Sequence, residues 1–100
     1  MADPTRWQLT ASAADDLDAI FDYTVERWSL AQAERYLADL RNAFDLLAEF
    51  PALARERTEF SPPARFYTVA SHLVVYRTAE PGIQIVRVLH ARQNWYAAFN

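Results

Sequence analysis

The chain predicts an α+β fold: an N-terminal strand, an α-helical hairpin, then a three-stranded antiparallel meander. Three observations carry that expectation. Apolar residues near the start alternate with a period of two, two capped stretches then repeat theirs every three to four residues, and three β-rich runs follow, separated by turn residues. At 100 residues the chain has the size of one domain, so residues 1–100 are read as a single unit. Hydrophobic residues make up 52% of the sequence. That is enough to offset the entropy of ordering, since each fully buried large apolar side chain contributes about 1.5 to 3 kcal/mol.

In TRWQLT, Thr5 to Thr10, Trp7 and Leu9 fall on one side and Arg6, Gln8 and Thr10 on the other, as in a half-buried strand. Ser12-Ala13-Ala14-Asp15 has the spacing of a capping box with Asp in place of Glu, and predicts a helix start. Leu17, Ile20, Phe21, Thr24 and Trp28 follow on one helical face. Ser29-Leu30-Ala31-Gln32 is a second capping box directly after Trp28, so the next helix begins with almost no loop and the pair forms a hairpin. Its apolar stripe is Ala33, Leu37, Leu40, Phe44, Leu47 and Ala48. Arg35 with Asp39, and Arg41 with Asp45, have the spacing to pair on its outside, and Pro51 stops it.

PALARERTEFSPP, with three prolines and four charges, reads as a surface loop. ARFYTVA, HLVVYRT and IQIVRVLH then read as strands, joined by turns at Ser71-His72 and Glu80-Pro81-Gly82. If the second loop has an even number of residues, Tyr76, Ile85, Arg87 and Leu89 share one face, with Arg87 close to Tyr76. Leu73, Val75, Val86, Val88 and His90 then share the other, whereas an odd loop breaks that pairing. Apolar residues on both faces exceed what one hairpin covers and predict a partner segment laid on the domain.

Composition excludes several chemistries. Without cysteine there is neither a disulfide nor a thiolate nucleophile, and two histidines alone give no metal-ligand spacing, so neither metal nor cofactor is expected. Gly82 is the single glycine, which rules out a glycine-rich phosphate loop. No apolar run approaches the roughly 18 residues of a membrane span, and MADPTRWQLT lacks the pattern of a signal peptide, so the expected location is cytoplasmic. Net charge is −3, and all ten basic residues are arginine. A mildly acidic domain is not expected to bind nucleic acid directly on its own.

The closing stretch RVLHARQNWYAAFN gathers Arg87, His90, Arg92, Trp95 and Tyr96. Each has an architectural reading. His90 suits a hydrogen-bonded strand edge, Arg87 a carboxylate partner or stacking on Tyr76, and Trp95 and Tyr96 a cap over a core or an interface. His72 reads as turn chemistry. Arginine and aromatic groups are also the types that dominate binding interfaces.

LTASAADDLDAIFDYTVERWSLAQAERYLADL resembles the helical hairpin of the ParE/RelE toxin superfamily, through Ala14, Asp16-Leu17, Ile20, Tyr23, Trp28, Ala33 and Tyr36. Pro51 closing the hairpin, Arg65 entering the meander, HLVVYR and IVRVLHARQNW extend the resemblance over nearly the whole chain, closest to the ParE branch. Ser29 and Ala54 stand where the family often has glycine, and Gln93-Asn94 where an acidic residue is common. The resemblance implies the toxin of a type II toxin–antitoxin system, neutralised by a ParD-like antitoxin whose C-terminal segment wraps it. A ParE-like member inhibits DNA gyrase by binding, and on that reading Arg87, Arg92, Trp95 and Tyr96 meet the target without catalysis. The alternative is a RelE-like ribosome-dependent mRNA endoribonuclease. Arg65 and Arg87 would then stabilise phosphate charge, His90 would titrate near neutrality, and Tyr96 would be the late tyrosine. The absence of lysine weighs against that alternative, and the antitoxin-binding residues are not assigned.

Overall fold

The computed structural model describes residues 6–93. Its elements are β1 (Trp7–Leu9), α1 (Ala11–Arg27), α2 (Leu30–Glu49), a 3₁₀ turn (Pro51–Leu53), β2 (Glu56–Arg57), β3 (Ala64–Val69), β4 (His72–Ala79) and β5 (Gly82–His90). The strands form one sheet in the order β1-β5-β4-β3-β2, antiparallel except where β1 runs parallel to β5. Strand, hairpin and meander follow as expected, with one addition. β2 lies inside the stretch predicted as loop, pairing Glu56 with Arg65 and Arg57 with Ala64. Two residues are too few to show a period.

The helices start where hydroxyls cap them. Thr10 caps α1, accepting from the Ala13 N–H at 3.0 Å while its own hydroxyl donates to the Val86 carbonyl at 2.8 Å. The capping box at Ser12 is therefore not the cap, because Ser12 already lies inside the helix. Ser29 caps α2 as predicted, accepting from the Gln32 N–H at 3.0 Å. Trp28, placed on the apolar stripe of α1 from its spacing, is instead 64% exposed. As the C-cap it has left helical geometry, and the 3.6-residue period no longer aims its side chain.

Both helices cover one face of the sheet. Leu17, Leu40, Phe44 and Leu47 meet Val74, Tyr76, Ile83, Ile85 and Val88 in the main core. Trp7 stands edge-on to Phe44 with ring centroids 5.0 Å apart, and its Nε1 donates to Asp45 at 2.8 Å. Asp45 is thereby engaged from β1. Neither Arg41–Asp45 nor Arg35–Asp39 forms an ion pair among the described residues, where the pairs are Arg57–Glu59 and Arg87–Asp16.

The β4–β5 loop is the two residues Glu80-Pro81, an even number, yet Arg87 does not share a rung with Tyr76. Tyr76 pairs with Ile85 and Val75 with Arg87, so Val86 is an extra residue, a β-bulge. Beyond it the faces exchange: Val88 joins Val74 and Tyr76 in the main core, while Leu89 joins Val75 on the far side. The far face is not bare, for Ala64, Val75 and Leu89 are buried there with Phe66 and Val86 packed against them. Exposed large apolar side chains sit instead on the hairpin and its exit: Tyr23, Trp28, Leu30, Leu46, Phe50 and Leu53. The β3–β4 turn is Ala70-Ser71, with Ala70 at φ 51, and His72 is the first residue of β4 rather than a turn residue.

Candidate functional site

β1 is three residues long, so the second half of β5, paired with β4 on its other edge, has no strand neighbour on the β1 side among the described residues. Side chains take its place. The Thr10 N–H reaches the Ile85 carbonyl at 3.0 Å and the Thr10 hydroxyl the Val86 carbonyl. One turn and a half further along α1, Asp16 arrives at the same edge. Its Oδ2 accepts from the Val88 N–H at 2.9 Å and from Arg87 Nε at 2.8 Å, while Oδ1 accepts from Arg87 Nη2 at 3.0 Å. The guanidinium fork matches the carboxylate bidentately, and the hydrogen bond to Asp16 holds the Arg87 pKa above its ordinary value. Arg87 is thus carboxylate-paired and not stacked on Tyr76. Its side chain stays 27% exposed.

His90 closes β5 directly opposite His72, the first residue of β4. The rings stand edge to face with centroids 5.2 Å apart. His72 Nδ1 lies 2.6 Å from the Tyr36 hydroxyl of α2, and His90 Nδ1 accepts the Arg92 N–H at 3.0 Å. These rings line a groove of about 240 Å³ whose other walls include Tyr23, Trp28 and Tyr36. His90 is an exposed strand-end residue with its hydrogen bonds made, and Arg92 lies exposed in the turn that follows.

Arg65 is elsewhere. It pairs with Tyr76 on β3–β4, and its Nη1 donates to the Ala54 carbonyl at 2.6 Å. The buried Tyr76 hydroxyl donates to Pro51 at 2.8 Å and accepts from the Ala54 N–H at 3.4 Å. Arg65 and Tyr76 together tether the 3₁₀ turn and its exit to the sheet; Arg65 itself stands on β3, two strands from β5 and so roughly 10 Å away at ordinary strand spacing. The structure brings Arg87 and His90 to one strand end with Arg92 beside them, and leaves Arg65 apart. Trp95 and Tyr96 lie outside the described residues. Among the described residues no group of three or more His, Cys, Asp or Glu is placed to hold a metal, and no helix is long and apolar enough to cross a membrane.

The family described as the ParE toxin of type II toxin–antitoxin systems, parDE, matches residues 8–95. The chain belongs to the ParE toxin family. Relatives agree with that membership. Toxin ParE1 of Mycobacterium tuberculosis is 40% identical over 91 residues, covering 90% of this chain and 93% of the relative. Toxin ParE1 of Caulobacter vibrioides is 32% identical over 88 residues, covering 88% and 91%. Toxin ParE of Escherichia coli is 34% identical over 92 residues, covering 90% and 88%. A chain of the chromosomal ParDE TA system from P. aeruginosa has the same fold, with a TM-score of 0.74 and 24% identity over 88% of this chain and 97% of that one.

This ParE toxin therefore places its charged cluster on the bulged strand β5, gripped by the first helix. Sequence reasoning missed Asp16 as the partner of Arg87, and Tyr36 and Tyr76 as the anchors of His72 and the 3₁₀ turn. Asp16 was visible only as half of the Asp-Leu pair in the helical pattern. Which of the five acidic residues on α1, Asp15, Asp16, Asp18, Asp22 or Glu26, faces β5 depends on the cap at Thr10 and on the bulge.

Proposed function

We propose that this ParE toxin acts by binding DNA gyrase, without chemistry of its own, and is held inactive in the cytoplasm by a ParD-like antitoxin. The observation that carries this reading is the Asp16–Arg87 pair. Cutting RNA through its 2′-hydroxyl requires a base, an acid and positive charge converging on one phosphate. Here the Arg87 guanidinium is shared with an internal carboxylate, Arg65 is occupied at the 3₁₀ turn, and the chain has no lysine. A binding surface needs no such convergence. Arg87 and Arg92, with Trp95 and Tyr96 downstream, form the target-contacting set, and residues 1–100 act as one domain. The apolar side chains exposed on the hairpin, Tyr23, Trp28 and Leu30, offer the surface for a wrapped antitoxin segment.

Purified toxin at micromolar concentration, added to gyrase and plasmid, is expected to block supercoiling and accumulate cleaved DNA. Gyrase unaffected in both assays would overturn the proposal. Cuts in ribosome-bound messages, abolished by Arg87→Ala, are the signature of the RelE-like alternative.

A further inference from the structure

We propose that His72, His90 and Tyr36 form an acid-sensitive latch that keeps the end of the β4–β5 hairpin closed and anchored to α2. The inference is independent of what the toxin binds. His72 and His90 are the last cross-strand pair of the β4–β5 ladder, and Ala91–Gln93 turn away directly after it. The Ala91 N–H donates to the Ser71 carbonyl at 2.8 Å and the Gln93 N–H to the His90 carbonyl at 3.0 Å, so this turn also holds the neighbouring β3–β4 turn.

The His90 imidazole is bonded in a way that suits the neutral ring. A backbone N–H is only a donor, so the 3.0 Å bond from Arg92 requires a bare Nδ1 on His90 and puts that ring's proton on Nε2. A proton arriving at Nδ1 ends the bond. The Tyr36 hydroxyl lies 2.6 Å from His72 Nδ1 and 3.3 Å from the Val69 carbonyl, so its one proton serves His72 when Nδ1 is bare and Val69 when Nδ1 carries a proton; the ring tilts against the tyrosine with centroids 5.4 Å apart. In the doubly protonated ring Nδ1 is a donor only, which leaves the tyrosine hydroxyl the Val69 carbonyl alone. Charging both rings also sets two cations 5.2 Å apart.

The surroundings offer little relief. From α1 the groups that face the pair are Asp16 and Tyr23; from α2, Tyr36 with Asp39 nearby; from the turn after β5, Arg92. Asp16 favours a charged His72, but its carboxylate is already held by Arg87. Burial and then the neighbouring His90 push the His72 imidazole below its ordinary value. The unfolded chain takes up that proton at about 6.5. As pH falls through that value the unfolded state binds more protons than the folded one, so the stability present above it is lost below it.

Amide exchange of Ala91, Arg92 and Gln93 in the full chain, corrected for its intrinsic pH dependence, tests the latch. Between pH 7.5 and 5.5 the corrected rates are expected to rise about tenfold more than those of β3. The His72→Asn/His90→Asn variant keeps an acceptor at each position and cannot be protonated there, and its rates are expected to stay flat. An equal rise in that variant, or no rise in the unaltered chain, overturns the proposal. Should the variant not fold, ring nitrogen shifts of the unaltered chain decide at pH 7.5. A proton on Nε2 of His90 supports the latch, and one on Nδ1 removes it.

Discussion

Asp16 makes three hydrogen bonds with two oxygens, one to a backbone N–H and two to a guanidinium, at a side chain only 15% exposed. Removing it leaves Arg87 and the Val88 N–H unpaired at a partly buried strand edge. Hydrogen bonds to charged groups contribute about 1.5 to 3 kcal/mol, so Asp16→Ala is expected to cost about 3 kcal/mol in urea unfolding at pH 7. Asp16→Asn keeps an acceptor for Val88 and is expected to cost about half that. Equal losses in the two variants would mean that the backbone bond contributes nothing. A carboxylate partner for Arg87 was one of two alternatives readable in the sequence, the other being stacking on Tyr76. Which carboxylate was not readable, since the bulge at Val86 decides which way residues 86–90 face and leaves no mark in the alternation of apolar residues. His72 was misread for a related reason. Turn chemistry was assigned by residue type, whereas the turn itself takes Ala70 with φ 51, a conformation that favours glycine.

At the level of the element, local pattern was reliable where the chain is bonded locally. Ser29 and Gln32 lie three residues apart, and the cap they predict is present. At the start of α1 two hydroxyl residues compete, and a contact 76 residues away along the chain settles the choice: Thr10 bonds Val86 as well as Ala13. Thr10→Ala is therefore expected to cost about 1 to 2 kcal/mol, and Ser12→Ala less than about 0.5 kcal/mol. Thermal unfolding of the two variants checks this directly, and the reverse order would restore the capping box at Ser12. The predicted stripe of α2 is the buried one for the same local reason: Ala33, Leu40, Phe44, Leu47 and Ala48 are all buried, and Leu37 packs against them. β2 had no comparable signal, since two residues paired with β3 are too short a run to show a period.

Across the whole molecule, the sheet is completed by β1 lying parallel to β5, and that junction is tight. A Cβ on Gly82 would stand 1.6 Å from the Arg6 carbonyl oxygen, the same oxygen that accepts the Ile83 N–H at 2.9 Å. Gly82→Ala is expected to displace β1 and, with it, the Trp7 contacts to Phe44 and Asp45, lowering the melting temperature by about 10 °C or preventing folding. A melting temperature unchanged within 2 °C, on the order of a 0.5 kcal/mol effect, would show that the strand relocates freely. Parallel pairing of β1 with β5 also has a consequence for biosynthesis. β1 and both helices are synthesised before β5, so the earliest segments have no finished surface on which to settle. The nascent chain is expected to stay open until β5 leaves the exit tunnel, and a polypeptide halted before Gly82 lacks the rung that pairs with β1.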